Sequence, residues 1–238
     1  MFCARTPTSR ARLTSVITLA VLLTASCGGT DASSDGGTGA LITATSGTSR
    51  GDNAGFVAGV HEAAYSGAPS GVRVGILGDS ITYLSRAQIH QVLDPSYAVQ
   101  IDANIGEHLD GTVGDGPSSF QSGDIDKIRA SVPAVVVINL GTNQGEGDLV
   151  VEYQALAQKL RPACVVGVTI DDHNDPSKFA NDHARSQLLN AALPTIVDVV
   201  ADWNAIEDPY TSGDVHPNSA GSVALAQLYV TAIARCHK

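Results

Sequence analysis

At 238 residues, with 43% apolar and 5% aromatic side chains, the chain has the length and composition of one globular domain with a full core. Acidic residues outnumber basic ones 24 to 14, a net charge of −10. No basic patch offsets that balance locally, so polyanions are repelled and nucleic acid is excluded as an expected partner.

The first acidic residue is Asp31, and Arg5, Arg10 and Arg12 stand before it without compensation. An apolar run of eleven residues, Leu13 to Leu23, follows them. It suits the central region of a signal peptide and is too short to cross a bilayer as a helix. The next residues, Leu23-Thr24-Ala25-Ser26-Cys27-Gly28-Gly29, resemble a bacterial lipoprotein lipobox, in which Cys27 becomes the lipidated N-terminus. Thr24 stands where that motif prefers an aliphatic residue, and plain secretion after cleavage at a small residue stays open. Both readings export the protein, to the cell surface or beyond it. Removal of the three arginines leaves 11 basic residues against 24 acidic, a net charge of −13. The expected division is residues 1–27 as signal peptide, 28–68 as a flexible tether, and 69–238 as the folded domain. Residues 28 to about 50 are Gly, Ser, Thr, Ala and Asp with almost nothing to bury, and a short helix is drawn around Asn53 to Tyr65.

Strands and helices then alternate. Val72 to Leu77 reads as a first strand, and Ile81, Leu84, Ile89 and Val92 recur at helical spacing after it. Tyr97 to Ala103 gives a second strand and Gly123 to Ser131 a short helix. Ala134 to Leu140 is a continuous apolar run, the pattern of a strand buried on both faces. Leu149, Tyr153, Leu156 and Leu160 mark a helix stopped by Pro162. A fourth strand from Cys164 to Ile170, a helix from Ser177 to Leu193, a fifth strand from Thr195 to Ala201 and a last helix from Ser219 to Arg235 complete the order. The alternation predicts one α/β domain, a parallel five-stranded sheet covered by helices on both faces. Cys164 and Cys236 are the two cysteines of the domain; in an oxidising compartment they suggest a disulfide, with two buried thiols as the alternative.

In such folds chemistry collects at the carboxyl ends of strands, and four motifs fall there. Ser80, in Gly78-Asp79-Ser80-Ile81-Thr82, sits at a helix start, where backbone N–H groups favour negative charge; an N-cap serine needs no more than that geometry. Asn143, in Gly141-Thr142-Asn143, can aim an amide donor into the strand-end crevice, and an ordinary turn explains the same residues. Gly106 ends the second strand. His216, in Asp214-Val215-His216-Pro217-Asn218, is a base before a new helix, and a serine becomes a nucleophile only when a base takes its proton.

Together and in this order, the four blocks resemble the SGNH (GDSL-type) hydrolase superfamily. The resemblance spans residues 71 to 238 and implies a three-layer, flavodoxin-like doubly wound sandwich. It implies Ser80 as nucleophile and His216 as base. The oxyanion hole would be made by the Ser80 and Gly106 backbone N–H groups and the Asn143 side chain. Two departures stand out: Gln144 replaces the usual aspartate of the third block, and the acid of the last block is Asp214, two residues before His216 instead of three. Asp214 orienting His216, a backbone carbonyl doing so, and a crippled site are three open outcomes.

Asp171-Asp172-His173-Asn174-Asp175, with Asp182-His183 nearby, is rich in oxygen ligands, but no metal-ligand spacing appears within it. A solvated turn or, by the resemblance, a loop bordering the substrate cleft is the expectation, with no metal and no cofactor. Trp203 is read as core or rim. The function expected from the resemblance is an exported serine esterase acting on a small-molecule or glycan ester, with acetyl on a polysaccharide as one substrate. An O-acyltransferase using the same site, and a non-catalytic surface protein of the same fold, are the rivals. The only membrane contact expected is the lipid anchor, and oligomeric state is silent.

Overall fold

The computed structural model describes residues 58–109, 123–143, 147–173, 176–211 and 215–237. Five parallel strands make the body of one sheet: β3 (Val72–Gly78), β4 (Tyr97–Asn104), β5 (Val135–Asn139), β6 (Cys164–Val168) and β7 (Val199–Ala201). Their spatial order is β4-β3-β5-β6-β7, so the chain starts in the interior and winds outward in both directions. Counting only parallel strands, this is the flavodoxin-like order, and its reversal point lies between β3 and β5. Every residue of β5 is buried, as its unbroken Val-Val-Val-Ile run requires of a central strand covered on both faces.

Two short strands lie outside the expected set. β1 (Gly59–His61) and β2 (Ser66–Gly67) pair antiparallel with β4, Gly59 opposite Asn104 and Ser66 opposite Val99. The helix expected around Asn53 to Tyr65 is therefore absent from its described part; residues 53–57 lie outside the described residues. The physical reason is the free edge of β4, which offers backbone partners that a three-residue segment has no means of making for itself. Ile105 N–H donates to Ala58 O at 2.9 Å and Glu62 N–H to Ile101 O at 3.1 Å. The ordered domain accordingly begins before residue 69, and the stretch assigned to a tether through residue 68 ends inside the sheet.

Helices cover both faces. α1 (Ser80–Leu93) and α5 (Ser219–Ile233) pack on one side, where Ile81, Ile89, Leu225 and Tyr229 meet Val74, Val99, Val137 and Val166. α2 (Asp124–Ala130), α3 (Leu149–Leu160) and α4 (Pro176–Ile196) close the other, with Ile128, Leu156, Leu189 and Leu193 against Val136, Ile138 and Val165. Alternate residues of β5 thus feed two separate cores, the arrangement of a three-layer sandwich.

The fifth strand starts later than the sequence pattern suggests. α4 continues through Pro194 to Ile196, and only Val199–Ala201 is extended. The Thr195 hydroxyl donates back to Ala192 O at 2.8 Å, closing the last turn from which the proline withdrew an N–H. Cys164, at the start of β6, is bonded to Cys236 in the 3-10 turn (Ala234–His237) after α5, with α-carbons 5.9 Å apart. Closing a separation of 72 residues restricts the unfolded chain by on the order of 4 kcal/mol in the loop-entropy picture. Among the described residues no helix is long and apolar enough to cross a membrane.

Candidate active site

Ser80 owes its position to the turn between β3 and α1. A Cβ on Gly78 would fall 2.0 Å from the Thr82 hydroxyl, so only glycine lets the strand end this close to the first helical turn. Asp79 is the N-cap; its Oδ1 accepts from Ile81 N–H at 2.9 Å, leaving Ser80 as the first helical residue. The turn is fastened to the central strand by Asp79 N–H donating to Asn139 O at 3.3 Å. The Asn139 side chain, fully inside, donates to Thr82 Oγ1 at 3.2 Å and to the Tyr229 hydroxyl at 2.8 Å, joining β5 to both α1 and α5.

His216 arrives from the far end of the chain. Asn218 caps α5 by accepting from Gly221 N–H at 3.0 Å, and its own N–H donates to Tyr210 O at 2.9 Å. Ser85, in the second turn of α1, donates to Ser222, in the first turn of α5, at 3.0 Å, so the two helices approach near their N-terminal ends. That approach brings His216 Nε2 to 2.9 Å from Ser80 Oγ across 136 residues of sequence. The Ser80 hydroxyl and the His216 imidazole are thus within hydrogen-bond reach of each other.

Two further strand ends complete the crevice. β4 ends at Asn104, and the chain turns through Gly106, whose φ of 73° is one that other residues rarely adopt. Asn143, past β5, bridges to His108 of this loop. Its Nδ2 donates to Glu107 O at 3.3 Å and makes a long 3.5 Å contact to Asp79 Oδ2. The amide plane is thereby fixed between the turn that carries Ser80 and the turn that carries Gly106. Ser80, Gly106, Asn143 and His216 are brought to one end of the sheet. Asp214, Gly213 and Gln144 lie outside the described residues, as does Cys27.

The electrostatics of the site include residues that sequence reasoning missed or undervalued. Asp79 is fully buried, and burial pushes its carboxyl up to about 7, opposed by the Ile81 N–H and by His216 nearby. Glu107 is also fully buried; its Oε2 accepts from Asn104 N–H at 3.1 Å and Asn104 Nδ2 at 2.9 Å. It thus holds the loop on which Gly106 sits, while its carbonyl holds Asn143. The available signal was an acid directly after a strand-end glycine, too common a pattern to single out.

No family model and no curated relative matches the sequence. Solved structures do. The C-terminal catalytic domain of peptidoglycan O-acetyltransferase A from Streptococcus pneumoniae is 18% identical, with a TM-score of 0.55 over 70% of this chain and 94% of that one. A lipase/acylhydrolase from Enterococcus faecalis is 14% identical, with a TM-score of 0.50 over 68% of this chain and 95% of that one. The fold is that of the SGNH hydrolases. In open α/β sheets the crevice at the reversal point is where ligands commonly bind, and it is there that Ser80 meets His216.

Proposed function

We propose that the chain is a metal-independent serine ester hydrolase that works through an acyl-enzyme. The 2.9 Å contact between Ser80 Oγ and His216 Nε2 carries this reading. His216 takes the Ser80 proton as the oxygen attacks the ester carbonyl. The tetrahedral oxyanion is received by the Ser80 and Gly106 N–H groups and by the Asn143 amide, whose orientation Glu107 O already sets. His216 then protonates the departing alcohol, and a water molecule, deprotonated by the same imidazole, releases the acid from Ser80. Asp214 is assigned the orientation of His216 from its sequence position.

Export follows from the leader, with Cys27 as the lipidated residue of a surface anchor. Short acyl groups, acetyl on an envelope or environmental polysaccharide among them, are the substrates this reading favours. Transfer of the same acyl group to a sugar hydroxyl differs only in the acceptor, and the similarity to an O-acetyltransferase domain in fold keeps that outcome in the assay.

The test uses the mature chain with a panel of short-chain esters and a fluorophosphonate probe. Wild type should hydrolyse at least one ester and carry the probe on Ser80. The Ser80→Ala variant should lose the label and fall to the level of oxyanion-hole and binding effects alone, about 10³-fold or more below wild type. Retention of both in the variant refutes the reading. Ester product on an added polyol would convert hydrolase to transferase.

A further inference from the structure

Beyond β6 the chain runs Thr169-Ile170-Asp171-Asp172-His173, and beyond β7 it runs Asp202-Trp203-Asn204 on to Glu207-Asp208. The two loops lie side by side. Asn204 N–H donates to Thr169 Oγ1 at 2.9 Å, and Asp172 N–H donates to Asn204 Oδ1 at 2.9 Å. Two of the acids here are satisfied by ordinary donors: Asp172 by Asn204 Nδ2 at 3.0 Å and Asp202 by the Thr169 hydroxyl at 3.0 Å.

Glu207 is different. Its side chain is 1% exposed; the Asp171 carboxyl and the Thr211 hydroxyl stand beside its carboxyl, yet Oε2 itself has no hydrogen-bond partner among the described residues. A buried carboxylate oxygen without a donor is strongly destabilising. Its neighbours make matters worse, since Asp171 offers a second carboxyl and Asp208 a third. Among the described residues no lysine or arginine pairs with any of them. His173 is the one cationic group in reach, with Nδ1 3.1 Å from Asp208 Oδ1 and 3.4 Å from Glu207 Oε1. One ring nitrogen shared by two carboxylates on its exposed side leaves the buried oxygen of Glu207 unanswered.

The spacing answers it. One ligand atom each from Asp171, His173 and Glu207 lies within 4.8 Å of the others. Two ligands of one ion, each about 2.0–2.5 Å from it, stand about 4–5 Å apart at most. We propose that Asp171, His173 and Glu207 bind a divalent cation, with Asp208 beside them as a further carboxylate. Two carboxylates with an imidazole suit Zn²⁺ or Mn²⁺ better than Ca²⁺, which takes oxygen ligands almost alone. The ion neutralises the crowded acids and clips the loop after β6 to the segment after β7. That segment continues through Tyr210, whose carbonyl holds Asn218, to His216. The role is structural and independent of the Ser80 chemistry. Sequence spacing within residues 171–175 showed no site because the buried ligand comes from another loop.

The untagged mature chain, stripped with EDTA, should be titrated separately with Zn²⁺, Mn²⁺ and Ca²⁺, reading bound metal by equilibrium dialysis and the unfolding midpoint by calorimetry. Wild type should bind one Zn²⁺ or Mn²⁺ ion and gain about 5 °C or more when the ion stands 100-fold above its dissociation constant. Glu207→Gln should lose both responses while melting higher than wild type without metal, because one of the crowded charges is gone. His173→Ala should lose the Zn²⁺ and Mn²⁺ response, and Ser80→Ala should keep it, so failure here is separable from failure of the esterase reading. Absence of binding by any ion overturns the proposal. So does an unchanged response in Glu207→Gln, or a response to Ca²⁺ alone that survives His173→Ala. If Glu207→Gln does not fold, Asp171→Asn carries the same comparison.

Discussion

Two acid-rich corners flank the site, built from the same residue types and solved in opposite ways. At the β4 edge, Asp102 and Asp124 are buried beside His61, at 2.5 Å and 3.3 Å from its Nδ1. Lys127 reaches in from α2, with Nζ 2.9 Å from Asp124 Oδ1. Asn104 Nδ2 donates to both Glu107 and Asp124, so the network runs from that lysine to the loop of Gly106. At the β7 edge the acids have His173 alone. A carboxylate cluster is not in itself a metal site; what matters is whether the chain supplies its own cation. The first corner does so and steadies the loop of Gly106. Among the described residues the second has no lysine or arginine, and it lies on the segment that leads to His216.

The strongest way to break the first corner is to remove its inner acid. Glu107→Ala leaves the buried Asn104 N–H without its acceptor and the Asn104 amide with Asp124 alone, a loss of about 1–3 kcal/mol by denaturant unfolding. The loop carrying Gly106 and the clamp on Asn143 should loosen with it. Under conditions where the variant is folded, kcat should fall by about 10² with KM changed less, since the affected donors act on charge present only in the transition state. Equal loss in KM and kcat would reduce Glu107 to a stability residue. The Asn143→Ala variant, which removes a donor outright, sets the scale at about 10²–10³ in kcat.

The Glu107 network also shows where the sequence stopped being legible. Ser80, Gly106, Asn143 and His216 could be placed because their blocks resemble those of a known family in order, and because they fall beyond strands whose apolar pattern is plain. The two antiparallel strands could not: Gly59–His61 is too short to carry a period, and its stability comes from the free edge of β4. The charged corners were hidden for a related cause. Asp102, Asp124 and His61 sit in three separate elements, as Asp171 and Glu207 sit in two loops, and no local pattern records which acids share a corner. The end of α4 also ran past the expected Leu193, through Pro194 to Ile196, where the Thr195 hydroxyl returns to Ala192 O.

Turning one corner into the other sharpens the contrast. Lys127→Met removes the built-in cation and leaves Asp124 facing His61 and Asp102. Lys127 is half exposed while Asp124 is fully buried, so a loss of about 1–2 kcal/mol is expected, between the values for exposed and buried pairs. The decisive readout is a new one: the variant should melt higher with added Zn²⁺ or Mn²⁺ at the β4 corner. Combining it with Glu207→Gln removes the response of the other corner and isolates the gain. No gain in that double variant would show that an uncompensated acid pair is insufficient and that the buried Glu207 oxygen matters in itself.

The smallest effect lies in His61, the titratable half of the first corner's cation. Its hydrogen bond to Asp102 raises its pKa, burial opposes this, and the Asp102 and Asp124 charges add to the rise. A group whose folded pKa lies above its unfolded value stabilises the fold fully below the unfolded value, near 6.5, and loses that contribution as pH climbs through the folded one. Other groups shape the wild-type curve in the same sense. Asp79 loses its contribution as pH rises through about 7, and His90, held by Glu62 and Asp94, as it rises through about 9. The measurement is therefore the difference between wild type and His61→Gln in unfolding free energy from pH 5 to 10. That difference should be largest at the acid end and shrink above pH 6.5 as wild-type His61 gives up its proton. The Lys127 contact to Asp124 does not depend on His61, so the corner should weaken without collapsing. A difference that stays constant over the whole range would mean that His61 serves as a neutral hydrogen-bond donor, leaving Lys127 as the corner's whole cation.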